Sequence, residues 1–549
     1  MKTICVALLA GFLVAGCTDY GPYRPKVGEK ACQEPFYLGG ANDERAPGGH
    51  DPRCAIQQHI IAGHETGYHL AFIEFDERKT SSETPKYNEK QYEAFKNHLA
   101  KSEKNYLIVF VHGWRHDAAI GDGDVRRFRV FLAYARSFLD QRCKTATRYC
   151  GHSLTGLYIG WRGRAFAEPV DNDFGPWTAG ALPTFWSRKA QSEEHAKPVY
   201  RLLRDISRSL ELDAGDVAAN KMLVMGHSFG GNMLATALRD RMTKRIAAHE
   251  CGATFRPPLG DLVFLVNPAS EARNWTKIQR RLRERLGLSG TDTTGYSESF
   301  FPKHQRPVYV SFTSVCEWAE ADLKKKNKNG EKIVLKLACD TATNRWFRWG
   351  QFAALKFDPE TNRTFGHMNP DLEKIDVDGQ EQYRFPYGAS HEFSILDSLE
   401  IGTTFSGASL PERSECIIAD NWLTDARNNW PPRGRRWDSA YLPMKPGETS
   451  KYRNLIFVSK KEKEIGVQFR HKLSPAGRKV GSVPSVVPAN APLWNVRSRD
   501  ISKHGGYVNY PQWCAINQLV LDRVTLDPET EISTVGADAP NHCDDAPQK

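Results

Sequence analysis

The sequence predicts an α/β protein: a doubly wound, mostly parallel sheet with helices on both faces and a large insertion before its last strand. Three observations lead there. Short apolar runs of β type recur along the chain, several of them continuous rather than alternating, as strands covered on both faces are. Longer segments with helical spacing separate them. At 549 residues, 40% hydrophobic and 26% charged, the chain can bury a large core and has the composition of a globular protein.

The strands are expected at His69–Phe75, Tyr106–Val111, Leu157–Gly160, Met222–Met225, Leu262–Val266, Val308–Phe312 and Leu493–Val496. Helical spacing marks Asp124–Leu139, Glu193–Leu210 and Gly230–Met242, and a closing amphipathic helix is expected over Tyr510–Leu521. From about Asp322 to Asn490 the rhythm breaks. That stretch is polar, rich in Gly, Pro and Trp, and has few long periodic segments, so it reads as the insertion, a lid or a wall of the site. A separate domain is the alternative.

The one long apolar run, Ile4 to Ala15, follows Met1-Lys2-Thr3 and is too short for the roughly 20 residues that a spanning helix needs. A lysine, a short apolar core and small residues read as a secretory signal. It ends in Val14-Ala15-Gly16-Cys17, which resembles the lipobox of bacterial lipoproteins. The resemblance implies cleavage before Cys17, acylation of that cysteine and anchoring by two or three acyl chains. With Thr18 rather than Asp after the cysteine, it implies the outer membrane of a bacterial envelope, facing the periplasm.

Cys5 leaves with the signal and Cys17 takes lipid, so an even number of the 12 cysteines remains. In an exported protein that suggests disulfides, with Cys32/Cys54, Cys143/Cys150, Cys316/Cys339 and Cys514/Cys543 as the close pairs. No CxxC or His/Cys cluster has zinc spacing, so neither a metal nor another cofactor is expected. The net charge of +10 is mild for this length and would suit an anionic membrane surface. No basic stripe interleaves with aromatics, which argues against nucleic acid as a partner.

The most specific signal is Lys221-Met222-Leu223-Val224-Met225-Gly226-His227-Ser228-Phe229-Gly230-Gly231, an apolar strand running into G-x-S-x-G and then into a helix. In that context the serine occupies a strained turn with its hydroxyl projecting from the sheet, while Gly226 and Gly230 let the backbone fold tightly. The helix behind it presents its N-terminus to the site. Ser228 is therefore the candidate nucleophile. Acyl transfer also needs donors for the developing oxyanion, and the backbone N–H groups of Trp114 and Phe229 are the candidates. Trp114 follows a second strand ending in His112-Gly113, where Gly113 permits close approach and His112 reads as a loop-shaping residue.

Several segments resemble a group of largely uncharacterised bacterial proteins of the α/β-hydrolase superfamily. They are Phe110–Ala118 with Asp124-Val125-Arg126-Arg127-Phe128, Tyr158–Gly163, Gly226–Gly231 and Val266-Asn267-Pro268-Ala269. The resemblance covers roughly residues 68 to 320 and resumes near the C-terminus. It implies an α/β-hydrolase sheet and hydrolytic chemistry, and leaves the substrate open. Taken with the breaks in composition and rhythm, the chain is expected to divide into a signal at 1–16, a tether and lead-in at 17–66, hydrolase core at 67–321 and 491–549, and the insertion or lid-like region at 322–490.

A serine hydroxyl needs a histidine base held by a carboxylate, and in this fold the chain order is Ser, acid, His. Thr313-Ser314-Val315-Cys316-Glu317-Trp318-Ala319 resembles a Thr-Ser-x-x-Asp-x-Ala segment of the related proteins, so Glu317 stands where Asp is usual. Glu320 and Asp322 are the alternatives. The base is expected in the loop before the closing helix, at His504, with His391 and then His367 behind it. Together these imply a serine hydrolase of the esterase or lipase type, acting on a small-molecule or lipid ester at the membrane that anchors it. The other reading is an envelope lipoprotein that uses the same fold for binding or scaffolding.

Overall fold

Apolar side chains leave both faces of the strands, so the sheet must be covered twice. The computed structural model describes residues 21–38, 51–61, 67–76, 84–145, 150–164, 182–212, 220–285, 300–302, 305–314 and 492–498, with short strands and single positions scattered between 324 and 521. In chain order the strands are β1 (Phe36–Leu38), β2 (Ile56–Ile61), β3 (Tyr68–Glu74), β4 (Asn105–Val111), β5 (Ser153–Gly160), β6 (Lys221–His227), β7 (Leu262–Val266) and β8 (Tyr309–Ser314). There follow β9 (Lys324–Lys326), β10 (Lys332–Val334), β11 (Lys374–Val377), β12 (Gln380–Tyr383), β13 (His391–Leu396), β14 (Gly466–His471) and β15 (Leu493–Ser498). The helices are α1 (Glu89–Leu99), α2 (Gly123–Thr145), α3 (Leu182–Ser209), α4 (Phe229–Ala247) and α5 (Arg273–Arg285).

Eleven strands form one sheet in the order β1-β2-β3-β5-β4-β6-β7-β8-β15-β13-β14, parallel except where β2 meets β3 and β13 meets β14. The pairs β9/β10 and β11/β12 are separate antiparallel hairpins. The α/β class is thus as the sequence predicts. In β4, Leu107, Val109 and Val111 enter one core and Tyr106, Ile108 and Phe110 the other. The period of two along a strand sends alternate side chains to opposite faces. Helices α1, α3, α4 and α5 close the first core, while α2 and the helical residues around Ile516–Leu521 close the second.

All seven expected strands form, as do the helices expected at Asp124–Leu139, Glu193–Leu210 and Gly230–Met242. Strand β5 and helix α3 start earlier and α2 and α4 end later than expected, and of the expected closing helix the described part is helical around Ile516–Leu521. Two differences have physical causes. Strands β1 and β2 fall inside the expected tether. The inward residues of β2 include Gln57 and His59, each 1% exposed, and the His59 ring is sandwiched between Phe36 and Tyr68 at 4.8 and 4.9 Å. Polar residues facing inward hide a strand from hydropathy. Strands β13 and β14 fall inside the expected insertion yet extend the main sheet beyond β15.

Cys32–Cys54 and Cys143–Cys150 are disulfides, and Cys251 is also disulfide-bonded. By loop-closure entropy the 22-residue separation of the first contributes about 3 kcal/mol. Cys316, Cys339, Cys514 and Cys543 lie outside the described residues, as does the segment that holds Cys17. Among the described residues no helix is long and apolar enough to cross a membrane.

Candidate active site

Strand order reverses at the middle of the sheet: β4 lies between β5 and β6, and the chain leaves β4 for α2 on one face and β6 for α4 on the other. Connections that diverge in this way open a crevice at the carboxyl ends of the strands, which is where open α/β sheets bind ligands. Ser228 and the His112-Gly113-Trp114 segment stand at that point.

Ser228 follows the last residue of β6 and caps α4, with φ 55° and ψ −117°. That conformation is unfavourable for any residue with a Cβ and persists only where the surroundings impose it. Two backbone bonds do so: Ser228 N–H donates to Val266 O at 3.1 Å, and Ala269 N–H donates to Ser228 O at 3.0 Å. The neighbouring turn presses against it. A Cβ on Gly113 would stand 2.7 Å from Ser228 Cβ and 3.3 Å from its Oγ, and a Cβ on Gly230 would stand 2.0 Å from Val111 O. Glycine at both positions is what lets the two strand ends meet. Ser228 is 6% exposed, and its hydroxyl has no hydrogen-bond partner among the described residues.

Phe229 begins α4, whose first N–H groups lack an intrahelical acceptor, and Trp114 packs its ring 6.0 Å from that of Phe229. His112 is buried, with both ring nitrogens engaged: Trp161 N–H donates to Nε2 at 3.1 Å, so Nδ1–H donates to Gly113 O at 2.9 Å. Burial lowers its pKa to about 4. It shapes the loop.

His504 sits over the ends of β6 and β7. Its carbonyl accepts from His227 Nε2 at 3.0 Å and from Asn267 Nδ2 at 2.8 Å, and its ring lies 4.7 Å from that of His227. The ring keeps some solvent exposure but is packed among protein groups. Desolvation, reinforced by the charge of His227, pushes its pKa well below the ordinary histidine value. A neutral imidazole at neutral pH can accept a proton.

The expected base therefore reaches the same edge of the sheet as Ser228, while Glu317, Glu320, Asp322 and His367 lie outside the described residues. His391 opens β13, two strands beyond β8 in the sheet.

Around the same strand ends lies a buried charged cluster that the sequence did not announce. Asp122 caps α2 by accepting from Asp124 N–H at 2.8 Å, and its carboxylate meets His116 Nδ1 at 3.2 Å and Arg164 Nη2 at 3.2 Å. Asp124, in the first turn of α2, accepts from Arg127 at 2.9 Å and faces His116 Nε2 at 3.6 Å and His227 Nδ1 at 3.7 Å. Burial alone would raise the Asp124 pKa. The charges of His116, His227 and Arg127 outweigh it and hold the carboxyl well below its usual range. At His116 burial opposes the charge, but Asp124 and Asp122 override it and raise the pKa. Asp124 and Asn267 both occur in the segments that carry the family resemblance, and that was the one signal in the sequence that pointed to them. A separate shallow depression at the ends of β3 and β5, lined among others by Tyr23, Glu74 and Arg162, includes none of these residues.

Among known proteins, no family model, curated protein or solved structure matches this chain.

Proposed function

We propose that this chain is a serine hydrolase of the α/β-hydrolase superfamily that cleaves an acyl ester through an acyl-enzyme on Ser228. The observation that carries the reading is the Ser228 turn itself. A non-glycine residue at φ 55° stands at the switch point of a parallel sheet, with the Gly113 backbone against its hydroxyl and His504 at the same edge. Strain of this kind, on the order of 1–3 kcal/mol, clusters at functional sites.

In the proposed reaction Ser228 Oγ attacks the acyl carbon while neutral His504 takes its proton. The substrate oxygen gains charge opposite the N–H groups of Trp114 and Phe229, near the positive end of α4. Collapse breaks the bond to the alcohol, which leaves with the proton from His504. Water then attacks the acyl-enzyme by the same route, releasing the acid and restoring Ser228. Glu317 is the proposed carboxylate that orients His504; it follows β8, whose Ser314 N–H donates to Asn267 Oδ1 at 2.8 Å. Strands β13 and β14 belong to the proposed insertion.

The purified protein is expected to hydrolyse a short-chain p-nitrophenyl ester, and Ser228→Ala to abolish that activity with the circular dichroism spectrum unchanged. Equal rates for the two proteins would sink the assignment. The protein is further proposed to be held at the bacterial outer membrane by acyl chains on Cys17, where its ester substrate would lie. Cys17→Ala should then move it from the membrane to the soluble fraction of its host; unchanged fractionation would refute the anchor.

A further inference from the structure

Two side-chain donors converge on the main-chain carbonyl of His504. His227 Nε2 lies 3.0 Å from it and Asn267 Nδ2 lies 2.8 Å from it. A carbonyl can only accept, so Nε2 of His227 carries a proton. At the other side of that ring, Nδ1 faces the Asp124 carboxylate at 3.7 Å, with both side chains 3% exposed or less. The ring is thus held between the Asp124 carboxylate and the His504 carbonyl. Asp124 is itself fixed by Arg127 and by its place in the first turn of α2.

Asn267 is tied with equal economy. It has φ 42°, in the left-handed region that asparagine tolerates better than most residues. Its main-chain N–H donates to Phe312 O at 2.9 Å, its Oδ1 accepts from Ser314 N–H at 2.8 Å, and its Nδ2 is left to reach His504. One amide therefore joins the ends of β7 and β8 to the segment that bears the base.

We infer that His227 and Asn267 are positioning residues that clamp the His504 carbonyl, with Asp124 orienting His227 from below. The inference rests on the reading of His504 as the base of Ser228. The residue preceding the nucleophile thereby acquires a function, because the strand that carries the serine also fixes where the imidazole stands. Nucleophile and base are then tied to adjacent residues at the end of β6, Ser228 and His227.

Conservative variants separate this role from space filling. Glutamine places an amide nitrogen close to the position of His Nε2 and keeps a donor for the carbonyl, whereas leucine fills the volume without one. His227→Leu is expected to lower kcat by about 10²-fold with KM unchanged, while His227→Gln retains roughly a tenth or more of the rate. Asn267→Asp keeps the acceptor for Ser314 and removes the donor for His504, so it should fall with the leucine variant. A ring that only fills space predicts the reverse order, because a buried amide is harder to accommodate than leucine. Leucine equal to or better than glutamine overturns the clamp.

Amide hydrogen exchange in peptides containing His504 gives a readout that needs no turnover. Exchange should accelerate in His227→Leu and Asn267→Asp and match the wild type in His227→Gln. Unchanged exchange in all three overturns the clamp. Should the wild type prove inert towards esters, the hydrolase reading falls, and the exchange result alone decides for or against the clamp.

Discussion

Among single residues, the decisive quantity is how closely two backbones pass. Gly113 lies so close to Ser228 that a Cβ added to it would stand 2.7 Å from the serine's own, nearer than two carbons can pack. Gly113→Ala must therefore push either the turn or the loop. A displacement near 1 Å at a reacting atom costs about 10²-fold in rate, so kcat/KM should fall by that order while circular dichroism stays unchanged. Steady-state kinetics on a p-nitrophenyl ester checks it, and wild-type activity in the alanine variant would show that Ser228 does not depend on this approach. His112, one residue earlier, illustrates the opposite case. Its Nδ1–H and Nε2 are both committed to main-chain partners, Gly113 O and Trp161 N–H, so it holds the loop.

Among the strands and helices, what was legible followed from hydropathy. Continuous apolar runs such as Tyr106–Val111 and Leu262–Val266 became β4 and β7 because both of their faces are covered. The turn at Ser228 was legible because G-x-S-x-G demands a backbone that only strand-turn-helix context supplies. Elements whose buried positions are polar were not. Strand β2 faces Gln57 and His59 inward, and α1 buries Gln91, which bonds Glu74 N–H at 2.8 Å and Arg24 O at 2.9 Å. Helix α5 reads as a basic stretch, yet Trp275, Ile278 and Leu282 at spacings of three and four place one narrow apolar stripe in the core. The buried cluster of Asp122, Asp124, His116 and His227 escaped for a related reason. Its members come from β6, α2 and the loop between β4 and α2, and no spacing along the chain reveals that they meet.

Across the molecule as a whole, folding takes several imidazoles out of water. His98 and His112 are lowered to about 4, chiefly by burial, and His504 is pushed well below the ordinary value by the same cause. In the unfolded chain each protonates near the reference value of about 6.5. Between there and their folded values the unfolded state binds more protons, so stability rises with pH and is lost on acidification. His69 and His249 act in the same direction, whereas the raised His116 acts against it. The melting temperature should therefore drop between about pH 7 and pH 5 in differential scanning calorimetry. A flat or rising trend would mean that these rings remain wet.

The proposed function turns on one feature, activation of the Ser228 hydroxyl by the His504 imidazole. Incubation of the intact protein with a fluorophosphonate probe, followed by peptide mass spectrometry, reads that activation without any choice of substrate. A single phosphonylated residue, Ser228, is expected, with no adduct in Ser228→Ala. A folded protein that takes up no probe, or takes it up on another serine, would contradict the assignment.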